Sequence, residues 1–288
     1  MSFIPKAICL DMDGTLLNNH NKISVSTIKI IEKIRNKGIK VFIVTGRSLE
    51  EIYEAAPRDI KLDGVVTANG MITYVDGKKI LEHELSTSVV NKVIKSARHH
   101  QIYYEVHPND GRRLSFEEDK GYMTDMIDNN KPDEVGINEW LDREIAIKEN
   151  DIDWITELPD QKYSKMYCFS TSRETMKQWI RELEEMKMEE DFTTSSSSYH
   201  NVEVMVAGVN KATGIKALLQ QYDIEPADAM AIGDSNNDLP MMRFVGYPVG
   251  MKNGTDQIKE LVKEVTTYTN DQEGVYHYLA DYFYCMLK

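Results

Sequence analysis

The sequence predicts an α/β core built on a parallel sheet and interrupted by an inserted α+β module. Three observations point there. Short apolar runs alternate with amphipathic segments up to residue 84. The alternation resumes after residue 207, and the stretch between mixes helix and strand signals without that rhythm. Strand, helix and strand in succession imply parallel strands joined by crossover helices.

The elements read in order as follows. "AICLDM" (7–12) is a buried strand. "SVSTIKIIEKIRNKG" (24–38) is a helix with serine at its start and Gly38 at its end. "VFIVTG" (41–46) is a second strand, rich in β-branched residues. Ser48 and Glu51 fit a capping box that opens the helix "SLEEIYEAA". "DGVVTANG" (63–70) gives a third strand, and Asn69-Gly70 and Asp76-Gly77 are hairpin turn signals. The middle region offers a helix at 86–101, a strand "IYYEVH" with a turn at "PNDGR", a strand "KMYCFS" and a charged helix at 172–189. "FTTSSSSYHNVEVMVAG" (192–208) resembles a hairpin turning near His200-Asn201; its serines 195–198 suit either a flexible linker or an exposed strand. The core returns with the helix "NKATGIKALLQQYD" (210–223), whose Ala212, Ile215, Leu218, Leu219 and Tyr222 share a face. "AMAIGD" (229–234), "YPVGM" and "VTTYT" follow as short strands, with helices around 254–264 and 272–287.

Composition narrows the function. A chain of 288 residues allows one large domain or two ordinary ones, and 41% apolar residues suit a globular core. A net charge of -13 argues against nucleic acid or an anionic membrane as partner. A small phosphorylated substrate remains open, since it needs only a local positive site or a metal. Cys9, Cys168 and Cys285 form no CxxC pair, which suits a reducing compartment, and Cys9 reads as a core residue. Neither a signal-peptide run nor a membrane-length apolar stretch is evident, so a soluble cytoplasmic protein is expected.

In open parallel sheets, ligands sit beyond the carboxyl ends of the strands. Polar residues fall at those ends here: Asp11 and Asp13 after the first strand, Thr45-Gly46-Arg47 after the second, Gly233-Asp234 after the late one. Clustered carboxylates repel unless a cation joins them. Asp11, Asp13 and Asp234 are hard oxygen ligands of the kind Mg²⁺ prefers. Lys211 stands at the first position of its helix behind a candidate N-cap, Asn210. A cation there opposes the helix dipole unless an anion binds beside it. Magnesium, a lysine, a threonine hydroxyl and helix N-termini together describe a phosphoryl site.

"DMDGT", "VTGR", the isolated "NK" before a helix, and "GDSNND" resemble the four ordered motifs of the haloacid dehalogenase superfamily. The spacing, the long insertion after the second motif and "ANG" at 68–70 resemble its Cof-like phosphatase branch. The resemblance implies a Rossmann-like core at 1–84 and 207–288. It implies that the insert, 85–206, is a cap that excludes water and selects the substrate. It makes Asp11 the nucleophile that forms an aspartyl-phosphate, and Asp13 the group that protonates the leaving oxygen and then deprotonates water. Asp11, the backbone carbonyl of Asp13, and Asp234 would hold Mg²⁺. Thr45, Gly46, Lys211 and Asn237 would contact phosphoryl oxygens, with backbone amides after Asp11, Met12 first. Asp238 would support the metal's water shell or orient Lys211. The implied substrates are small phosphate monoesters such as sugar phosphates, for a monomer or weak homo-oligomer. Arg47, Arg112, Arg113, Tyr199 and His200 are candidate substrate contacts.

Plainer readings exist for each feature. Asp-x-Asp-Gly also makes a good turn, Thr45-Gly46 can simply connect strand to helix, and Lys211 can be a solvated side chain. "DSNND" can be a turn with an N-cap, and Asn69-Gly70 reads as a hairpin turn before a substrate contact. His99-His100 is no metal site, because adjacent helical residues point apart. Two other functions compete: a phosphomutase, which returns the phosphoryl group to substrate, and a non-enzymatic phospho-metabolite-binding protein. A glycosyltransferase using Asp-x-Asp leaves Thr45, Lys211 and the second aspartate loop without a role. Dehalogenation is disfavoured because Asp13 supplies an acid/base that a haloalkanoate does not need.

Overall fold

A computed structural model describes residues 3–57, 60–149 and 151–287. They fall into two compact units, Met1–Glu82 with Asn210–Lys288, and His83–Val209.

The first unit starts with β1 (Ala7–Leu10), buried throughout. Four apolar side chains in a row cover both faces, as a central strand of a parallel sheet requires. α1 (Val25–Asn36) is capped by Ser24, whose hydroxyl accepts the Thr27 N–H at 3.1 Å. Its Thr27, Ile30, Ile31 and Ile34 form one buried stripe at helical spacing. β2 (Lys40–Val44) lies parallel beside β1, with Cys9 level with Phe42. α2 (Leu49–Ala55) opens on the capping box: Glu51 N–H donates to Ser48 Oγ at 3.2 Å and Ser48 N–H to Glu51 Oε2 at 2.6 Å. β3 (Gly64–Thr67) runs parallel to β2, and β4 (Ile72–Val75) and β5 (Lys78–Glu82) return antiparallel. Both hairpins turn where asparagine, aspartate and glycine take positive φ: Asn69 at 53° and Gly70 at 106°, then Asp76 at 49° and Gly77 at 72°.

The second unit contains, in order, α3 (Thr87–His100), β6 (Tyr103–Pro108), β7 (Arg113–Phe116), α4 (Lys120–Asp128), α5 (Ile137–Lys148), β8 (Ile152–Ile155), β9 (Tyr163–Phe169), α6 (Arg173–Met186), β10 (Phe192–Ser195) and β11 (Asn201–Val206). Its sheet has the order β10-β11-β9-β6-β7-β8. Val90, Val93 and Ala97 of α3 and Met176, Trp179 and Leu183 of α6 share one core with Tyr104, Val106, Met166 and Cys168. Here the structure corrects the sequence reading, which found no strand–helix–strand unit in this region. β7 and β8 are parallel, and the chain between them forms α4 and α5. Those helices have thin apolar stripes: only Met123 and Ile127 of α4 are buried, and in α5 a buried arginine, Arg143, stands beside Trp140 and Ala146. The four serines are a strand end and a turn rather than a linker, because Asn201 Oδ1 accepts the Ser197 N–H at 3.0 Å.

The chain then re-enters the first unit with α7 (Lys211–Gln221), β12 (Ala229–Gly233), α8 (Leu239–Phe244), β13 (Tyr247–Gly250), α9 (Asp256–Leu261), β14 (Glu264–Val265), α10 (Gly274–Tyr282) and α11 (Tyr284–Leu287). The sheet order is β14-β13-β12-β1-β2-β3-β4-β5, parallel from β14 to β3. β12 pairs with β1, Ala231 level with Cys9. Of the expected strand "VTTYT", only Val265 lies in β14; the Thr266 N–H donates to the Gly250 carbonyl at 2.9 Å, and its hydroxyl turns to the Tyr268 carbonyl at 2.7 Å. Ile31, Ile34, Val275 and Leu279 pack with Ile8, Leu10 and Ile43. Ile215, Leu218 and Met241 pack with Ala7, Cys9, Phe42 and Val44 from the opposite face of the sheet. Among the described residues no helix is long and apolar enough to cross a membrane.

Candidate active site

β1, β2 and β12 are neighbours, so Asp11, Thr45 and Asp234 leave the sheet at the same edge. Asp11 is buried, and Met12 behind it is fully buried. Met12–Leu16 forms a wide helical turn closed by the Leu17 N–H on the Met12 carbonyl at 2.9 Å. Inside that turn Gly14 has φ +71°, and a Cβ there would lie 2.3 Å from Asp234 Oδ2. Glycine is therefore what lets the two acidic loops close on one another. Thr15 adds a link, its hydroxyl donating to Asp234 Oδ1 at 3.2 Å.

Lys211 is the first residue of α7 and is wholly buried. Asn210 caps that helix, its Oδ1 accepting the Ala212 N–H at 3.0 Å while its own N–H donates to Thr213 Oγ1 at 3.2 Å. The Lys211 ammonium donates to Asp11 Oδ1 at 2.5 Å and to Asp238 Oδ1 at 2.6 Å. The second Asp238 oxygen accepts the N–H groups of Asp234 and Ser235 at 2.9 and 3.0 Å. Burial disfavours the Lys211 charge, but Asp11 and Asp238 outweigh it and hold the ammonium protonated well above the usual lysine range.

Asp11, Asp234 and Asp238 bring carboxylate oxygens within 4.8 Å of one another. Burial and then the Asp238 charge push Asp11 up to about 7, against the pull of Lys211. Burial and then Asp11 and Asp238 push Asp234 well above the carboxylate range. Three acids against one ammonium leave an excess of buried negative charge, which hard oxygen donors this close would relieve by holding a divalent cation. The residues present therefore fit such an ion.

Asp13 is not in that acidic cluster. Its carboxylate lies in the fork of Arg47, with Nη2 2.7 Å from Oδ1 and Nε 3.1 and 3.0 Å from the two oxygens. Burial alone would raise Asp13, and the guanidinium overrides it, holding the carboxyl below its ordinary range. The expectation that the Asp13 carboxylate joins those of Asp11 and Asp234 is thus corrected: Asp238 takes that place, because Arg47 draws the Asp13 side chain away. The contact through the Asp13 backbone carbonyl, which the family resemblance implies, does not involve that side chain. Thr45 is fully buried, and its hydroxyl accepts the Arg47 N–H at 3.2 Å. Gly46 lies between Thr45 and Arg47. The Asn237 amide reaches Asn69 Oδ1 at 3.4 Å, and Asn237 Oδ1 accepts the Ser235 hydroxyl at 2.6 Å.

The remaining candidates belong to the second unit and have partners there. Arg112 pairs with Asp153 at 3.1 Å, and Arg113 with Asp151 at 2.7 Å and Glu105 at 3.1 Å. His200 is buried, with Nδ1 2.9 Å from the Ser170 carbonyl and Nε2 accepting from Arg173 Nε at 3.3 Å. Tyr199 is exposed, with the Arg173 guanidinium 4.9 Å from its ring centre. Sequence reasoning missed Thr15 as a partner of Asp234, although the hydroxyl stands in plain view in "DMDGT". It also missed the Arg47–Asp13 pair, for which a single sequence holds no signal.

The family model for haloacid dehalogenase-like hydrolases matches residues 8–279. The chain belongs to this family. This haloacid dehalogenase-like hydrolase falls in the Cof-like phosphatase branch, and its enzyme class is phosphoric monoester hydrolase. It is 29% identical over 282 residues to the Bacillus subtilis 5-amino-6-(5-phospho-D-ribitylamino)uracil phosphatase YwtE, covering 95% of this chain and 96% of that one. It is 27% identical over 272 residues to a Yersinia pseudotuberculosis HMP-PP phosphatase, covering 93% and 92%. Among solved structures, a haloacid dehalogenase-like hydrolase from B. subtilis superposes with a TM-score of 0.79 at 25% identity, over 95% of this chain and 98% of that one.

Proposed function

We propose that this hydrolase is a Mg²⁺-dependent phosphatase of small phosphate monoesters that works through an aspartyl-phosphate. The observation that carries the reading is Asp11, buried at the end of β1 and held by Lys211 beside Asp234, with Asp13 two residues on. An Asp11 oxygen attacks phosphorus and the ester P–O bond breaks. Arg47 keeps Asp13 as a carboxylate in the free enzyme, so Asp13 takes up a proton from the incoming monoester or from solvent and then gives it to the leaving oxygen. Asp13 then takes a proton from water as that water attacks the acyl phosphate, which frees inorganic phosphate and restores Asp11. Splitting the hydrolysis into two displacements makes each one easier. Thr45, Gly46, Lys211, Asn237 and the Met12 amide bind phosphoryl oxygens, and Asp238 orients Lys211. Asp11, Asp234 and the Asp13 carbonyl would hold Mg²⁺, which would neutralise the acids and the phosphoryl charge.

The inserted unit is read as the source of substrate selectivity. A phosphorylated sugar or polyol suits the site, since the YwtE substrate carries a phospho-D-ribityl group by name. A net charge of -13 favours a free metabolite over nucleic acid or an anionic membrane. Three unpaired cysteines suit a reducing cytoplasm.

The test is phosphate release from a panel of phosphorylated sugars and cofactors, with Mg²⁺ or EDTA, for wild type and Asp11→Asn. Turnover that needs Mg²⁺ and is lost in the variant is expected. Equal turnover in the variant would remove Asp11 as nucleophile. Isomerised phosphate ester in place of free phosphate would make the enzyme a mutase.

A further inference from the structure

The turn Ala68-Asn69-Gly70 has no role in the chemistry above, yet it touches three of the segments that carry the phosphoryl-binding residues. Asn69 N–H donates to the Thr45 carbonyl at 2.9 Å, and Ala68 N–H donates to the Arg47 carbonyl at 3.0 Å. These two bonds hold the carbonyls of the two residues on either side of Gly46. A peptide unit is planar, so holding the Thr45 carbonyl fixes the direction in which Gly46 N–H donates. The Asn69 side chain accepts from Asn237 Nδ2 at 3.4 Å. Gly70 packs backbone against backbone on the cap of α7: a Cβ there would lie 2.1 Å from the Asn210 carbonyl, one residue before Lys211.

The turn is also strained and buried. Ala68 has φ +46° and Asn69 φ +53°, and each is only 2% exposed. Alanine rarely takes that conformation, and it persists only where the surroundings enforce it. An ordinary Asn-Gly hairpin does not need a left-handed alanine before it. The constraint therefore comes from what the turn must reach.

We infer that Asn69 is a positioning residue for the phosphoryl group, acting through the Thr45–Gly46 peptide and through Asn237. This rests on the phosphatase reading above. Its backbone conformation keeps the Thr45 carbonyl in place, and its side chain keeps Asn237 in place. Residues that bind the phosphoryl group equally in ground and transition states govern KM more than kcat. Damage to folding alone would lower the active fraction, and with it kcat, while leaving KM unchanged.

The experiment compares wild type with Asn69→Gly, Asn69→Ala, Asn237→Ala and the double variant Asn69→Gly/Asn237→Ala. Glycine keeps the positive φ and the N–H but removes the side chain; alanine also disfavours the φ. KM for the best monoester is measured beside the affinity for inorganic phosphate with Mg²⁺ by calorimetry. Asn69→Ala is expected to raise KM and weaken phosphate binding together by about 10-fold, with kcat changed less. Asn69→Gly is expected to lose about threefold, and the double variant to be no worse than Asn237→Ala alone, because the side chain acts through Asn237. If Asn69→Ala does not fold, the glycine variant and the double variant carry the test on their own. Folded variants with wild-type KM and phosphate affinity would overturn the inference while leaving the phosphatase in place. A wild type that neither turns over a monoester nor binds phosphate would overturn the underlying reading and this inference with it.

Discussion

Arg47 grips Asp13 in a fork, with Nη2–Oδ1 at 2.7 Å and Nε 3.0 and 3.1 Å from the two oxygens. Arginine alone among side chains offers that planar geometry to a carboxylate. The pair fixes where the proposed acid/base stands before substrate arrives. Arg47→Lys keeps the charge and loses the fork. We expect kcat to fall between about 10- and 100-fold, because small misplacements of a reacting group are that costly. Steady-state kinetics on the best monoester would check this, and unchanged kcat would remove Arg47 from any role in aiming Asp13.

The buried Lys211 ammonium donates to Asp11 and to Asp238, at 2.5 and 2.6 Å. Removing one partner of a buried ion pair strands the other charge. Lys211→Met should therefore lower stability by about 3 to 5 kcal/mol in EDTA. Added Mg²⁺ should recover part of that loss by neutralising the same acids. Denaturant melts with and without the ion would show it.

Gly14 has φ +71° and no room for a side chain, since Asp234 Oδ2 would lie 2.3 Å from its Cβ. Gly14→Ala must push the two acidic loops apart. Mg²⁺ affinity measured by calorimetry should weaken by about 10-fold or more, the scale seen when groups that orient metal ligands are lost. An unchanged affinity would mean that Asp234 is not held by this contact.

Asp63 gathers Arg35 Nε at 2.7 Å, the Val41 N–H at 3.0 Å, Arg35 Nη2 at 3.1 Å and Lys40 Nζ at 3.2 Å. Burial would raise its carboxyl, but these donors, Arg35 first, hold it below the ordinary range. A depressed carboxyl contributes stability that is complete above its unfolded value, about 4, and is lost as pH falls through the folded value. Asp63→Asn should cost about 2 kcal/mol at pH 7. The gap between variant and wild type should narrow steadily below pH of about 4. A gap that stays constant into acid would mean that the charge is not what stabilises the site.

Much of the first unit is legible in the sequence because its signals are local. Ser24, the Ser48–Glu51 box and Asn210 cap helices with groups only two or three residues away. The strand ends at Asp11, Thr45 and Asp234 follow from apolar runs that stop at polar residues. Partnerships across the chain are another matter. Thr15 with Asp234, Asp13 with Arg47 and Asn69 with Asn237 depend on which strands become neighbours, and nothing near each residue announces it. α4 and α5 escaped for a different reason. Arg143 is buried in α5 because Glu105 lies within 3.3 Å, so a charged residue occupies a core position and breaks the apolar stripe.

The pairing of β1 with β12 sets Ala7 against Ala229, about 220 residues later in the chain. At roughly 5 to 20 residues per second, a ribosome needs about 10 to 40 s to cover that distance. His83–Val209 is continuous in sequence and can fold in the interval, whereas the strand carrying Asp11, with β2 already made, must wait for its other neighbour, β12. Lys211, Asp234 and Asp238 are all made late, so the acidic site comes into being only as synthesis ends. A nascent chain thus holds no finished acidic cluster, and the β1 edge that β12 covers stays open until synthesis is nearly done.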